Sequence, residues 1–114
     1  MRLLIDADGL IKLYRSGVLA HVVSRFSCVI PQAVFEEVVT RGRVRLYQDA
    51  EAIEGVIAGA VTIVSTQERQ RPELGLGAGE TGILDLLAQE QDPVVVSDDR
   101  RFLTVLSMQG IPFL

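Results

Sequence analysis

The sequence predicts a three-layer α/β/α domain with a central, mostly parallel sheet of four to five strands. Short apolar runs recur along the chain, and stretches with helical periodicity separate them. The runs are apolar along their whole length, which is typical of strands buried on both faces of a parallel sheet. At 114 residues, 48% of them hydrophobic, the chain is long enough for one such domain, spanning residues 1–114, and too short for two.

The first half of the chain predicts strand, helix, strand and helix, in the order 3–6, 10–25, 27–30 and 31–42. Ser16 and Gly17 interrupt the periodicity of the first helix and are predicted to break it. Pro31 lies at the favoured first-turn position of the second helix. Gly42 is predicted to end that helix in a left-handed cap.

The second half of the chain predicts helices alternating with strands, in the order 46–58, 61–64, 78–90, 94–97, 100–108 and 111–114. Gly59 follows the first of these helices, and the turn-forming pair Asp92-Pro93 precedes the fourth strand. Residues 65–77 are predicted to be the longest irregular stretch.

Composition limits the classes to which the protein can belong. Cys28 is the only cysteine, which excludes an internal disulfide. The chain also starts without a charged segment followed by a long apolar one, so a cytoplasmic protein is expected. No apolar run approaches the roughly 20 residues that span a bilayer, so membrane insertion is not expected.

Six carboxylates occupy positions where an unpaired charge is costly, at strand ends or among the apolar positions of helices. They are Asp6, Asp8, Glu37, Glu80, Asp98 and Asp99. The pairs that follow the first and fourth strands are expected at the ligand-binding edge of the sheet. Several carboxylates share one cavity only if a cation neutralises them or some stay protonated. Oxygen ligands suit Mg²⁺ or Mn²⁺. His21 and Cys28 are the only histidine and cysteine and are too few to form a zinc site, so the pattern predicts a magnesium or manganese site.

The net charge of −4 would normally argue against a nucleic-acid partner, but the six carboxylates account for more than this excess. The other nine acids face eleven bases, ten of them arginine, and several arginines cluster. The planar fork of arginine suits phosphate. Arg100 and Arg101, beside the last acidic pair, are candidate phosphate contacts, with ordinary solvated residues as the alternative.

Glu80 is the acid that helix periodicity places best. Ile83, Leu84 and Leu87 follow it at i+3, i+4 and i+7, which puts Glu80 in the apolar stripe and Asp85 on the opposite, solvent face. Glu80 is therefore expected to point inward or toward a cleft. The alternative is a first-turn glutamate that only interacts with the helix dipole, worth roughly 0.3 to 1 kcal/mol.

Three pairs of neighbouring acids leave a choice open: Glu36 or Glu37, Asp6 or Asp8, and Asp98 or Asp99. The two glutamates flank the apolar face of their helix on opposite sides, so periodicity does not choose between them. In each aspartate pair, one residue can cap the following helix while the other serves the site. Asp8 is closer to the predicted helix start and is the expected cap, which leaves Asp6 as the expected ligand.

Four segments, in this order and spacing, resemble the motif regions of the PIN domain family of nucleases: LLIDADGLIKL, VIPQAVFEEVV, LGAGETGILDLLA and VVVSDDRRFLTVL. They look most like a small bacterial and archaeal subfamily related to the VapC-type toxins of toxin–antitoxin pairs. The resemblance covers nearly the whole chain and implies a PIN-like fold.

The resemblance also implies site residues, position by position. The implied metal ligands are Asp6, Glu37, Glu80, Asp98 and Asp99. All of these except Asp98, the neighbour that caps or assists, are also the implied catalytic residues. Asp8 stands where the family often has Asn or Ser, and Asp8 and Ser97 are expected to be caps or to support the ligands.

The implied function is that of a metal-dependent endoribonuclease that hydrolyses RNA with Mg²⁺ or Mn²⁺, expected to be a homodimer. A toxin would also have a small antitoxin protein as its partner. A phosphoacceptor receiver domain is disfavoured because SCVIP and VTIVS end without an acid and Lys12 is the only lysine. A PIN-like module that binds RNA or protein without cleaving it, and a structural protein that only dimerises, are the alternatives.

Overall fold

In the computed structural model, which describes residues 1–44, 48–65 and 75–114, four parallel strands form the central sheet. The strands are β1 (Arg2–Ile5), β2 (Ser27–Pro31), β3 (Val61–Val64) and β4 (Pro93–Val96). Their order across the sheet is β3-β2-β1-β4, and every neighbouring pair is parallel. The predicted three-layer α/β/α class is confirmed.

Helices connect the strands and cover both faces of the sheet. They are α1 (Ala7–Arg15), α2 (Leu19–Arg25), α3 (Gln32–Phe35), α4 (Arg41–Val44), α5 (Gln48–Ile57), α6 (Ala78–Leu87) and α7 (Arg100–Met108), with one turn of π-helix at Glu36–Thr40. Successive side chains of a strand point to opposite faces of its sheet. Leu3 and Ile5 therefore pack in one core with α1, α2 and α5, whereas Leu4 packs in a second core with α6 and α7.

The strand order creates a switch point beside β1. The chain moves from β1 through β2 to β3 on one side, and then returns to place β4 on the other side of β1. Ile5 pairs with Val96, so the chain leaves β1 and β4 at the same level of the sheet. In α/β sheets of this kind, ligands bind outside the carboxyl ends of the strands at the switch point. Asp6 and Ser97 are the first residues beyond those two ends.

Two element predictions are wrong. Gly42 does not end a helix: α4 continues through it, and it is absent from the positive-φ glycines of the described residues, so the backbone never makes the left-handed turn. Residues 111–114 form only an isolated parallel bridge, between Phe113 and Val95, instead of a fifth strand. Pro112 lacks an N–H, so it contributes only a carbonyl to the contact, which accepts from the Val95 N–H at 3.1 Å.

Other boundaries differ by a few residues. The first helix starts at Ala7 instead of residue 10, and its predicted break is confirmed between α1 and α2, where Gly17 has a φ of 79°. Helix α6 ends at Leu87, three residues before the predicted end. The start of the helix predicted at 46–58 and most of the irregular stretch at 65–77 lie outside the described residues. Within the described part of the chain, no helix has the length and apolarity needed to cross a bilayer.

Candidate active site

Asp6 occupies the centre of the carboxyl edge, directly after β1. It is only 2% exposed, and both of its carboxylate oxygens accept hydrogen bonds. Oδ1 accepts from the Gly9 N–H at 2.7 Å, and Oδ2 accepts from the Ser97 hydroxyl at 2.5 Å. Asp6 is thus the N-cap of α1. The expectation that Asp8 caps this helix is wrong, because the helix starts immediately after Asp6 and leaves Asp8 exposed in its first turn.

Gly9 allows the start of α1 to lie against the end of β4. A Cβ atom at position 9 would lie 2.5 Å from the Val96 carbonyl oxygen and 3.0 Å from Asp6 Oδ1. The Val96 oxygen belongs to the backbone of β4, so any larger residue would push the helix away from the strand. The sequence analysis missed this residue. Its position three residues after a capping aspartate was the available signal.

Ser97 links the ends of β1 and β4. Its hydroxyl donates to Asp6 and accepts from the Asp99 N–H at 3.1 Å. Asp99 in turn caps α7, because its Oδ1 accepts from the N–H groups of Arg101 at 2.9 Å and Phe102 at 3.3 Å. Asp98 was expected to cap this helix or to assist the site, and it does not supply the cap. Asp98 is exposed, and its Oδ2 lies 3.6 Å from Lys12 Nζ.

Glu80 approaches the same edge from the first turn of α6. Its Oε1 accepts from the Gly77 N–H at 3.3 Å, which holds the side chain against the start of the helix. Glu80 is half-buried, in keeping with its place on the apolar stripe. Asp85 is half-buried as well, so the two acids differ less in exposure than the helical period predicts.

The pKa values of Asp6, Asp8 and Glu80 are raised, mainly by burial and further by neighbouring acids. Burial is the main cause that raises the pKa of Asp6 to about 6; Asp8 and Asp99 add repulsion, while the bonds from Ser97 and Gly9 oppose the shift. Burial likewise raises the pKa of Glu80 to about 7; the Gly77 hydrogen bond opposes the shift, and the charges of Asp99, Asp6 and Asp8 add to it. Burial, together with Asp99 and Asp98, raises the pKa of Asp8. Each of these carboxylates therefore lies within electrostatic range of the others.

A family model described as a PIN domain matches residues 2–114 of this sequence. The chain belongs to the PIN domain family. Members of this family are generally nucleases, so a nucleic-acid substrate is implied. The comparison with curated proteins found no match.

Glu37 lies in the π-helical turn and is exposed. It lines a cavity of about 420 Å³ between α1 and α5, and Asp8 lines the same cavity. Glu36 has a different environment, since its Oε1 accepts from Gln32 Nε2 at 3.5 Å. The two glutamates that periodicity left equivalent therefore differ in place, and Glu37 is the one that lines the cavity with an acid of the cluster.

The two arginines beside the last acidic pair have different surroundings. Arg101 Nη2 donates to the Gly75 carbonyl at 3.1 Å, which ties the start of α7 to the segment before α6. Arg100 lines a separate groove with Leu103 and Phe113. Arg41 lines the cavity that contains Glu37. The remaining clustered arginines, at positions 43, 45, 69 and 71, have side chains outside the description.

The oxygen donors at the PIN domain's edge are not arranged around one point. Among the side chains of residues 1–44, 48–65 and 75–114 that are described, no three His, Cys, Asp or Glu form a ready-made metal position. Several carboxylate oxygens are instead engaged by backbone N–H groups or by a hydroxyl. A carboxylate oxygen has two lone pairs, so these bonds leave it able to accept a further partner.

Proposed function

We propose that this PIN domain is a metal-dependent endoribonuclease that hydrolyses phosphodiester bonds in RNA. One observation carries the proposal: Asp6, Asp8, Glu80 and Asp99, from three separate parts of the chain, interact at the switch point of the sheet. Two of them have a pKa raised into the range of about 6 to 7. A cluster of this kind is strained when fully ionised, and a bound cation relieves the strain.

The chemistry of the donors fits Mg²⁺ or Mn²⁺. All of the clustered groups are carboxylates, which these hard cations prefer. Asp6, Glu80 and Asp99 would hold the ion, with Glu37 and Asp98 as further ligands. When bound, such an ion supplies an activated water and stabilises the charge that develops on the phosphate.

The chain's own residues keep the ligands in place. Ser97 holds Asp6 through Oδ2 and holds the Asp99 backbone through its N–H, so one hydroxyl sets the spacing between two proposed ligands. The Gly77 N–H holds Glu80 by donating to its Oε1. Partners that orient metal ligands typically contribute about 10- to 100-fold in activity or metal affinity. Ser97→Ala is expected to lower activity by that amount, and loss of a ligand is expected to lower it further.

The test is cleavage of an internally labelled, unstructured RNA by the purified protein with Mn²⁺ or Mg²⁺. EDTA is expected to stop cleavage, and Asp6→Asn and Glu80→Gln are expected to be inactive while their circular dichroism matches the wild type. Glu51→Gln, an isosteric change at an exposed position of α5, is the matched control and is expected to retain activity. Equal cleavage by wild type, Asp6→Asn and Glu80→Gln would indicate a contaminating nuclease and end the proposal. RNA binding without cleavage would instead identify a non-cleaving module.

The proposal extends to assembly and cellular role. Apolar side chains near the end of the chain support a homodimer, since Met108 is 83% and Leu114 is 71% exposed. Light scattering at several protein concentrations tests this, and a monomer throughout would refute it. A toxin role predicts that expression arrests growth and that Glu80→Gln relieves the arrest. A small antitoxin encoded beside the gene would then be expected to bind the protein.

A further inference from the structure

The acidic edge is the carboxyl edge of the sheet that carries Asp6, Asp8, Glu80 and Asp99. The outer face of α1 lies between two cavities that both begin at this edge. The cavity of about 420 Å³ lies between α1 and α5, and the second, of about 500 Å³, is lined by residues of α1 and by Asp98. Asp8, Ile11 and Arg15 line both cavities. Their spacing of three and four residues places them on one face of the helix. This face extends about 10 Å from the acidic edge, at about 1.5 Å per residue.

Three described cations line this face and its two cavities, which together are called the α1 groove. Lys12 and Arg15 project from α1, and Arg41 lines the cavity opposite. By contrast, Arg2 lies at the other end of the sheet and pairs with Glu90 at 3.3 Å. A strand of RNA whose scissile phosphate lies at the acids has neighbouring phosphates that require cations, and the α1 groove supplies them.

Two cations of the groove form ion pairs. Lys12 Nζ lies 3.6 Å from Asp98 Oδ2, and these side chains are 66% and 60% exposed. Arg15 Nε lies 2.8 Å from Asp49 Oδ2, with the arginine 68% and the aspartate 30% exposed. Exposed pairs contribute only about 0 to 1 kcal/mol, so exchanging the carboxylate partner of Lys12 for a phosphate costs little.

The cavity between α1 and α5 has a floor suited to a nucleobase. Its apolar lining includes Ile11, Val38, Ala50 and Ile53. The charged part of the lining consists of two arginines, Arg15 and Arg41, and three acids, Asp8, Glu37 and Asp49. Its volume of about 420 Å³ falls within the usual range of roughly 300 to 1,000 Å³ for small-molecule sites. A base can enter such a cavity only when it is unstacked, as in single-stranded RNA.

We propose that the α1 groove guides single-stranded RNA to the acidic edge. In this arrangement Lys12, Arg15 and Arg41 bind phosphates next to the scissile one, and the cavity receives one adjacent nucleoside. The inference rests on the proposed function for the position of the scissile phosphate. It assigns the RNA path to α1 instead of to Arg100 and Arg101 on α7.

The first test measures binding of a short fluorescent single-stranded RNA by anisotropy in EDTA over a salt series. For single strands, the slope of log K against log salt changes by about 0.7 for each phosphate contact. Lys12→Ala, Arg15→Ala and Arg41→Ala are each expected to reduce the slope by about that amount, which weakens binding about fivefold at 0.1 M salt. Arg25→Ala, at an exposed position near the end of α2, is the control and is expected to leave the slope unchanged.

Three results would overturn the inference. The first is a slope of log K against log salt that equals the wild-type slope in all three α1-groove variants. The second is a reduced slope in Arg100→Ala alone, which would place the RNA on α7. The third is binding of a polyglutamate peptide that is as tight and as salt-dependent as RNA binding, which would identify the groove as a protein interface.

RNA binding is measured in EDTA, where no cleavage is needed, so the two proposals can fail separately. Groove-dependent binding without cleavage by the holoenzyme would refute only the nuclease proposal, and cleavage with the wild-type slope in every variant would refute only the groove.

The second test concerns the nucleoside cavity. Nucleoside monophosphates added to isotope-labelled protein are expected to shift the amide signals of Ala7, Ile11 and Ala50 far more than ribose 5-phosphate does. Equal shifts with ribose 5-phosphate would show that the base has no site there. A blunt RNA duplex is expected to bind more weakly than the single strand, and equal binding of the two would contradict an unstacked base.

Discussion

Asp6→Asn is expected to stabilise the protein at neutral pH in the absence of divalent metal. The substitution preserves the shape of the cap. The asparagine carbonyl can accept from the Gly9 N–H, and its amide can donate to Ser97 Oγ, which reverses the direction of that hydrogen bond. What the substitution removes is the negative charge of a side chain that is 2% exposed.

The magnitude follows from the pKa of Asp6. Its value rises from 3.8 to about 6 on folding, mainly because of burial. Between these values the native state holds a proton that the unfolded state has released, so the free energy of unfolding falls as pH increases. About two units at 1.36 kcal/mol each give a cost of about 3 kcal/mol above pH 6 that is absent below pH 4.

The assay is urea denaturation in EDTA at intervals between pH 4 and pH 8. The stability of Asp6→Asn and wild type is expected to agree at pH 4, and the variant is expected to gain an advantage of up to about 3 kcal/mol by pH 8. Asp92→Asn, at a side chain that is 79% exposed, is the control for a general effect of removing charge. An advantage independent of pH, or a variant less stable than wild type at pH 8, would refute the reasoning.

Two further predictions concern the supports of the site. Gly9→Ala is expected to lower the free energy of unfolding by about 1 to 3 kcal/mol, because its Cβ would lie 2.5 Å from the Val96 carbonyl oxygen; unchanged urea midpoints would contradict this. Arg101→Ala removes the bond to the Gly75 carbonyl, worth about 0.5 to 1.5 kcal/mol, and is expected to speed hydrogen exchange locally before α6. Exchange rates equal to those of wild type would show that the bond contributes nothing there.

The sheet could be predicted because the sequence pattern that identifies each strand lies within the strand itself. An unbroken apolar run such as residues 2–5 identifies a strand buried on both faces without reference to the rest of the chain. Parallel pairing then places Asp6 and Asp99 at one edge, whatever the detailed register. The half-burial of Glu80 could be predicted for the same reason, since a helical period is read from a few neighbouring residues.

The caps could not be predicted because they depend on contacts between distant parts of the chain. Asp6 bonds to Ser97, 91 residues away, and that contact exists only after β4 pairs with β1. The requirement for Gly9 arises in the same way, from the Val96 carbonyl on another strand. Capping propensity alone favoured Asp8 because it lay nearer to an assumed helix start, and that start was three residues late.

Capping does not explain why position 6 carries a charge. Asparagine and serine cap helices about as well as aspartate does. Neither would carry the burial cost that raises the pKa of Asp6 to about 6. The same reasoning applies to Glu80, where a glutamine could accept the Gly77 N–H without the repulsion from Asp6 and Asp99. Asp6 and Glu80 both lie at the switch point of the sheet, and both carry a charge that reduces stability at neutral pH. Their structural roles do not require that charge, which supports the proposed cation site.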